Sequence, residues 1–183
     1  MAEDKRTVLY APSYRGHVYD RRGAYMLDPR MDVDALRAAV GDDTVILYRK
    51  HHYIPDPVPA TADGFVRDVS TYPDGTELML AADVLVTDYS SMMFDFANTG
   101  RPMLFLTYDL DAYGDEIRGF YVDFVETVPG PLLGTTDDVA EALRDLDGVE
   151  RGYADRYSAF AQRFCELDDG RASQRVVDRI FEL

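Results

Sequence analysis

The chain has 183 residues, of which 46% are hydrophobic and 29% charged; this suits one globular domain or one large lobe of a two-lobed enzyme, and excludes disordered and fibrous classes. A formal net charge of −15 has the wrong sign for bare nucleic acid or an anionic bilayer, so any phosphate site must be local. The lone cysteine, Cys165, excludes an internal disulfide and a cysteine-built zinc site, and reads as a small buried apolar residue.

Met1–Arg6 lead straight into Val8-Leu9-Tyr10, without the apolar stretch and cleavage site of a secretory signal. Apolar runs such as Val45–Tyr48 fall far short of the roughly 20 residues of a membrane-spanning helix, so the cytosol is the expected compartment. Taken in order, β-rich runs predict strands at Thr7–Ala11, Val45–Tyr48, Phe65–Val69, Val84–Thr87 and Met103–Leu106. The stretch Gly16–Pro29, without a clear period, reads as a loop leaving the first strand. Helical spacing predicts Asp32–Val40, capped by Asp32, then Thr76–Ala82, Ser91–Asn98 and Val139–Leu146, the last capped by Asp137 or Thr136. The tail adds Tyr153–Arg163 and Ala172–Phe181 around the turn Asp168-Asp169-Gly170. This alternation predicts an α/β, Rossmann-like parallel sheet with helices on both faces. It reads as a single unit over 1–183, with a core at 7–147 and C-terminal helices at 150–183.

Doubly wound folds place ligands at the carboxyl ends of their strands. His52 follows the second predicted strand, Ser70 the third, and Asp88-Tyr89-Ser90-Ser91 the fourth, so one rim collects them. Ser90 and Ser91 open a helix, where hydroxyls and unpaired amides can hold a phosphate without lysine; simple N-capping, with Asp88 stabilising the dipole, is the plainer alternative. His52 is placed to hydrogen-bond or protonate a departing phosphate oxygen, or is one of a solvated pair with His51. In an extended backbone the two imidazoles point apart, which makes a two-histidine metal site a poor reading. Arg49 and Lys50 concentrate positive charge near this rim. Arg15, after the first strand, offers a forked donor to either a phosphate or a carboxylate.

Arg118-Gly119-Phe120-Tyr121 and Pro129-Gly130-Pro131 bracket a loop placed either to close over a ligand or simply to pack. The carboxylates Asp109, Asp111, Asp115, Asp123 and Glu126 lack calcium-loop spacing and read as a solvated acidic face. No Gly-x-Gly-x-x-Gly, P-loop or Gly-x-Ser-x-Gly motif is present, which disfavours dinucleotide oxidoreductases, P-loop NTPases and α/β-hydrolases and leaves a sugar-nucleotide-type transferase lobe.

Asp68-Val69-Ser70-x-Tyr72, the run Ala82–Asp95, Arg118-Gly119-Phe120-Tyr121, Pro129-Gly130-Pro131 and Phe164-Cys165-x-x-Asp168-Asp169-Gly170-Arg171-Ala172-Ser173 stand in order along the chain. Together with Tyr10-Ala11-Pro12-Ser13-Tyr14-Arg15, they resemble the CDP-glycerol glycerophosphotransferases of teichoic acid synthesis, over nearly the whole length. The resemblance implies the C-terminal, donor-binding lobe of a GT-B fold that works without a metal or other cofactor. It implies His52 as the histidine on the donor phosphates, Ser90 and Ser91 at the phosphate-binding helix start with Arg15 beside them, and Ser70, Asp88 and Asp95 toward nucleoside or polyol. Arg118, Arg171 and Ser173 match motif positions of unassigned role.

The implied partners are CDP-glycerol or CMP, a lipid-linked or polymer acceptor, and an N-terminal acceptor lobe or partner chain; nucleic acid is not among them. The family's acceptor-activating histidine sits in a Trp-His-Gly-Thr-Pro-like motif, and this chain has no tryptophan. Its acceptor lobe is therefore expected to be missing, with the full enzyme peripheral at the inner face of the membrane. A CDP-ribitol or other CDP-polyol transferase, and a non-catalytic nucleotide-binding module, are the alternatives.

Overall fold

The computed structural model describes residues 5–15, 23, 30–114 and 119–181. Six strands, β1 (Arg6–Ala11), β2 (Thr44–Tyr48), β3 (Val66–Asp68), β4 (Val84–Thr87), β5 (Met103–Leu106) and β6 (Leu132–Leu133), form one sheet in the order β3-β2-β1-β4-β5-β6. Every pairing is parallel, from Leu9 opposite Leu47 and Leu85 to Phe105 opposite Leu132. The α/β reading from the sequence holds, and one strand beyond the five predicted is present. Leu132–Leu133 is too short to show a period; β5 defines it, with Phe105 and Thr107 amides donating to the carbonyls of Pro131 (3.0 Å) and Leu133 (2.7 Å).

Alternation of side chains along the buried strands builds two cores. Val8, Tyr10, Val84, Val86, Leu104 and Leu106 face α1 (Val33–Val40) and α6 (Thr136–Arg144), meeting Leu36, Val139 and Leu143. Leu9, Leu85, Met103 and Phe105 face the other side, against α2 (Gly75–Ala81), α3 (Met92–Phe96), α5 (Phe124–Thr127) and α7 (Leu146–Phe164). Leu36 is fully buried, and its truncation to alanine would cost about 2–5 kcal/mol. A single turn, α4 (Leu110–Ala112), follows β5, and α8 (Ala172–Phe181) closes the described chain with no buried residue.

Caps account for most helix starts. Asp32 accepts from the amides of Asp34 and Ala35, as its position predicts. For α6 the cap is Thr135, one residue before the predicted pair, in a reciprocal box with Asp138. The predicted break near residue 150 also moves. The carboxylate of Asp145 accepts from the Gly148 amide at 3.0 Å, and α7 starts at Leu146. A Cβ at Gly148 would lie 2.1 Å from that carboxylate, so this glycine serves the cap rather than ending a helix. Pro129-Gly130-Pro131 is likewise explained by packing: a Cβ on Gly130 would lie 1.9 Å from the Met103 carbonyl oxygen.

Candidate functional site

In this strand order the chain leaves β1 toward β2 on one side, while β4 flanks β1 on the other. Such a switch point opens a crevice at the carboxyl ends of the strands. A cavity of about 20 Å³ lies there, lined by Tyr10, Ser13, Tyr14 and Arg15 from the β1 side, Lys50 and His51 from β2, Thr87 and Asp88 from β4, and Tyr108 beyond β5. That volume holds about one water. Ligand-sized space lies beyond Tyr89, in a cleft of about 610 Å³ lined by Ser91, Phe94, Tyr113, Phe120, Tyr121 and Phe124.

One guanidinium organises the β4 side. Arg15 is 3% exposed, and of the two partners its sequence position allows, the structure shows the carboxylate. Its Nε and Nη2 donate to Asp109 at 2.7 and 3.1 Å, and its Nη1 donates to Asp88 at 2.8 Å and to the Ser13 carbonyl at 3.1 Å. The rings of Tyr89, Tyr108 and Tyr113 lie 5.2–5.4 Å from its central carbon. Burial opposes the charge, yet hydrogen bonding to Asp109 and the charge of Asp88 hold Arg15 well above the usual arginine range. Asp88 also accepts the Ser13 amide on both oxygens at 3.0 Å, so it ties the β1 exit to the β4 exit rather than stabilising a helix dipole. Tyr89 donates to Asp109 at 2.9 Å; burial first, and the charge of Asp109 next, push its phenol far up. Asp109, expected on a solvated face, is the second anchor of this cluster. The unmet charge of Arg15 was the signal in the sequence that such a partner had to exist.

The turn that follows differs from a simple helix start. α3 has five residues, and its first amides are already engaged: Met92 with the Ser90 hydroxyl (3.3 Å), Met93 with the Ser90 carbonyl (3.3 Å), and Phe94 with the Ser91 carbonyl (3.1 Å). The exposed Ser91 side chain makes no cap bond. What this turn offers a ligand is therefore hydroxyls more than spare amides.

On the β2 side the backbone is not extended. The Ile54 amide donates to the His51 carbonyl at 3.0 Å, which puts His52 and Tyr53 at the tip of a turn. The imidazoles of His51 and His52 stack at 4.3 Å instead of pointing apart, and it is His51 that lines the cavity, while His52 is exposed. The Tyr53 amide donates to His51 Nδ1 at 3.2 Å, which assigns the ring proton to Nε2. No group of three or more side chains suited to a metal occurs among the described residues. Arg49 donates to the Tyr72 carbonyl at 2.8 Å and Lys50 to the Asp56 carbonyl. These carbonyl bonds leave both charges in place near the rim.

Ser70 is at the rim as predicted, where its hydroxyl accepts the Lys50 amide at 3.1 Å and links the exits of β2 and β3. Asp95 is exposed on α3 and close enough to Cys165 to raise that thiol, after burial and Asp168. Arg171 and Ser173 are exposed at the start of α8. Their segment is joined to the turn just past α3 by Asn98 donating to Asp168 at 3.1 Å, and neither lines the crevice. Arg118 lies outside the described residues. Phe120, next in its motif, stacks on Phe124 at 4.8 Å.

Sheet order and two-sided helix cover define a Rossmann-like α/β lobe, with a polar crevice at the switch point, where such lobes bind ligands. Residues 1–182 match the family CDP-Glycerol:Poly(glycerophosphate) glycerophosphotransferase, and the chain belongs to that family. It is 44% identical, over 98% of its length, to a teichoic acid glycerol-phosphate transferase of Staphylococcus aureus, of which it covers 46%. Against a teichoic acid poly(ribitol-phosphate) polymerase of Bacillus spizizenii the identity is 33% over 97% of this chain and 28% of that protein. Among solved structures, the wall teichoic acid polymerase TagF superposes with a TM-score of 0.88 and 39% identity, over all of this chain and 44% of TagF. A variant of TagF soaked with CDPG superposes with a TM-score of 0.87. The chain thus spans about half, or less, of the relatives it matches. No helix among the described residues is long and apolar enough to cross a membrane.

Proposed function

We propose that this chain supplies the donor site for transfer of glycerol phosphate from CDP-glycerol to an acceptor hydroxyl, in the synthesis of teichoic acid or a related cell-surface glycopolymer. One observation carries the reading: in a chain of this family, His51 from the β2 exit and Asp88 from the β4 exit, two residues before Ser90, line the same switch-point crevice. The acceptor oxygen attacks the β-phosphorus in line, a new P–O bond forms, and the P–O bond to CMP breaks. The acceptor proton goes to a base outside residues 1–183, on an acceptor lobe or partner chain.

His51 takes the role the resemblance gave to His52. Its Nε2–H donates to the diphosphate as charge builds on the leaving CMP, and the Ser90 and Ser91 hydroxyls hold the same group. Ser70 remains the candidate toward the nucleoside. Asp95, Arg171 and Ser173 are exposed away from the crevice and take no part in the step as proposed. The reaction as proposed uses no metal or other cofactor. The full enzyme acts on a lipid-linked or polymer acceptor at the cytoplasmic face of the membrane.

Similarity to a ribitol-phosphate polymerase keeps CDP-ribitol as the second donor, since the same nucleotide site serves both. Calorimetric titration of the folded chain with CMP, CDP-glycerol and CDP-ribitol tests the reading. Saturable binding of CMP and tighter binding of CDP-glycerol are expected. Tighter binding of CDP-ribitol reassigns the polyol, and no saturation with any of the three overturns the proposal.

A further inference from the structure

Three chain segments that border the crevice meet on one side chain. Arg15 comes from the exit of β1, Asp88 from the exit of β4, and Asp109 from the loop after β5. Their side chains are 3%, 3% and 16% exposed. A buried cation between two carboxylates needs both its charge and its fork: each carboxylate alone would be an uncompensated negative group beside a site meant for an anion. Asp88 in turn fixes the Ser13 amide and stands two residues before Ser90. Asp109 fixes the hydroxyl of Tyr89, whose ring lines the aromatic cleft.

Resting on the proposed donor site, we infer that Arg15 is a positioning residue. It does not touch the diphosphate; it neutralises Asp88 and Asp109 and, through them, sets Tyr89 and the Ser90-Ser91 hydroxyls for an anionic ligand. Lysine cannot reproduce this, because a single ammonium lacks the rigid fork that spans two carboxylates and a carbonyl.

The test is CMP binding by calorimetry with Arg15→Lys and Asp109→Asn, compared with the unaltered chain. Arg15→Lys is expected to raise the Kd by about tenfold or more, the effect of one lost charge-assisted hydrogen bond, while stoichiometry stays near one. A merely structural role would lower the bound fraction and leave the Kd of the folded molecules unchanged. Asp109→Asn keeps shape and one carboxylate, and is expected to raise the Kd by roughly threefold, less than the loss of a full charge-assisted bond. Should Arg15→Lys fail to fold, Asp109→Asn and Tyr89→Phe decide. Unchanged Kd in the folded variants, or a loss seen in stoichiometry alone, overturns the inference. If the unaltered chain itself binds no CMP, it is the donor-site reading that fails.

Discussion

Two turns flank the crevice and are built on opposite plans. The β4 turn is locked: Asp88 is buried, bonded to the Ser13 amide and to Arg15, and followed by Tyr89, which is held by Asp109. The β2 turn is open: His52 and Tyr53, at its tip, project into solvent, while His51 lines the cavity beside Lys50 and Ile54. A rigid side that fixes hydroxyls, facing a looser side that carries an imidazole, suits the proposed donor site, which has to place a diphosphate and then release CMP. Preorganisation belongs where charge is held, and freedom where a product departs.

The contrast breaks most sharply at Asp88. Asp88→Ala leaves Arg15 buried with one carboxylate and the Ser13 amide without its acceptor, and should cost about 3–5 kcal/mol of stability, read by urea unfolding; a loss under 1 kcal/mol would show that the turn is not locked. On the open side, His51→Ala should weaken CDP-glycerol binding about tenfold, or about 1.4 kcal/mol, with little change in unfolding midpoint. His52→Ala should stay within about twofold, well under the 1.4 kcal/mol of a tenfold change. The reverse order of the two histidines would return the role to His52. Ser70→Ala removes the acceptor of the Lys50 amide and should cost about 1 kcal/mol.

The smallest effect is alkaline. The neutral Tyr89 phenol is favoured in the folded state, so the stability it gives is complete below its ordinary value of 10.0 and is lost as pH rises beyond it. Tyr89→Phe should therefore flatten the alkaline limb of a stability–pH profile, and an unaltered limb would remove Tyr89 from the lock.

Much of this was legible in the sequence because the buried strands are written as apolar runs. Val84–Thr87 and Met103–Leu106 were placed to the residue, as was the cap of α1 at Asp32. Where a neighbour defines the element, local reading failed: β6 exists because β5 offers it amides, and the α6–α7 joint depends on a carboxylate meeting a glycine amide three residues on. At the site, the sequence located the rim and its serines. It did not show that His51 rather than His52 would line the cavity, because that depends on a turn closed by the Ile54 amide. It left Arg15 open between a phosphate and a carboxylate, since Asp109, 94 positions away, carries no local mark of its partner.

The α6–α7 joint has a consequence for how the chain tolerates change. Asp145 ends one helix and caps the next, so no slack separates them, and the rotational phase of α7 is inherited directly from α6. Each residue turns a helix by about 100°, and Phe160, 2% exposed and stacked on Phe94, sits fifteen positions downstream. One inserted residue between cap and aromatic would swing that ring out of the core. The helix-free stretch 55–64, between the His51 turn and β3, has no such phase to keep, so length variation should accumulate there and be purged at the joint.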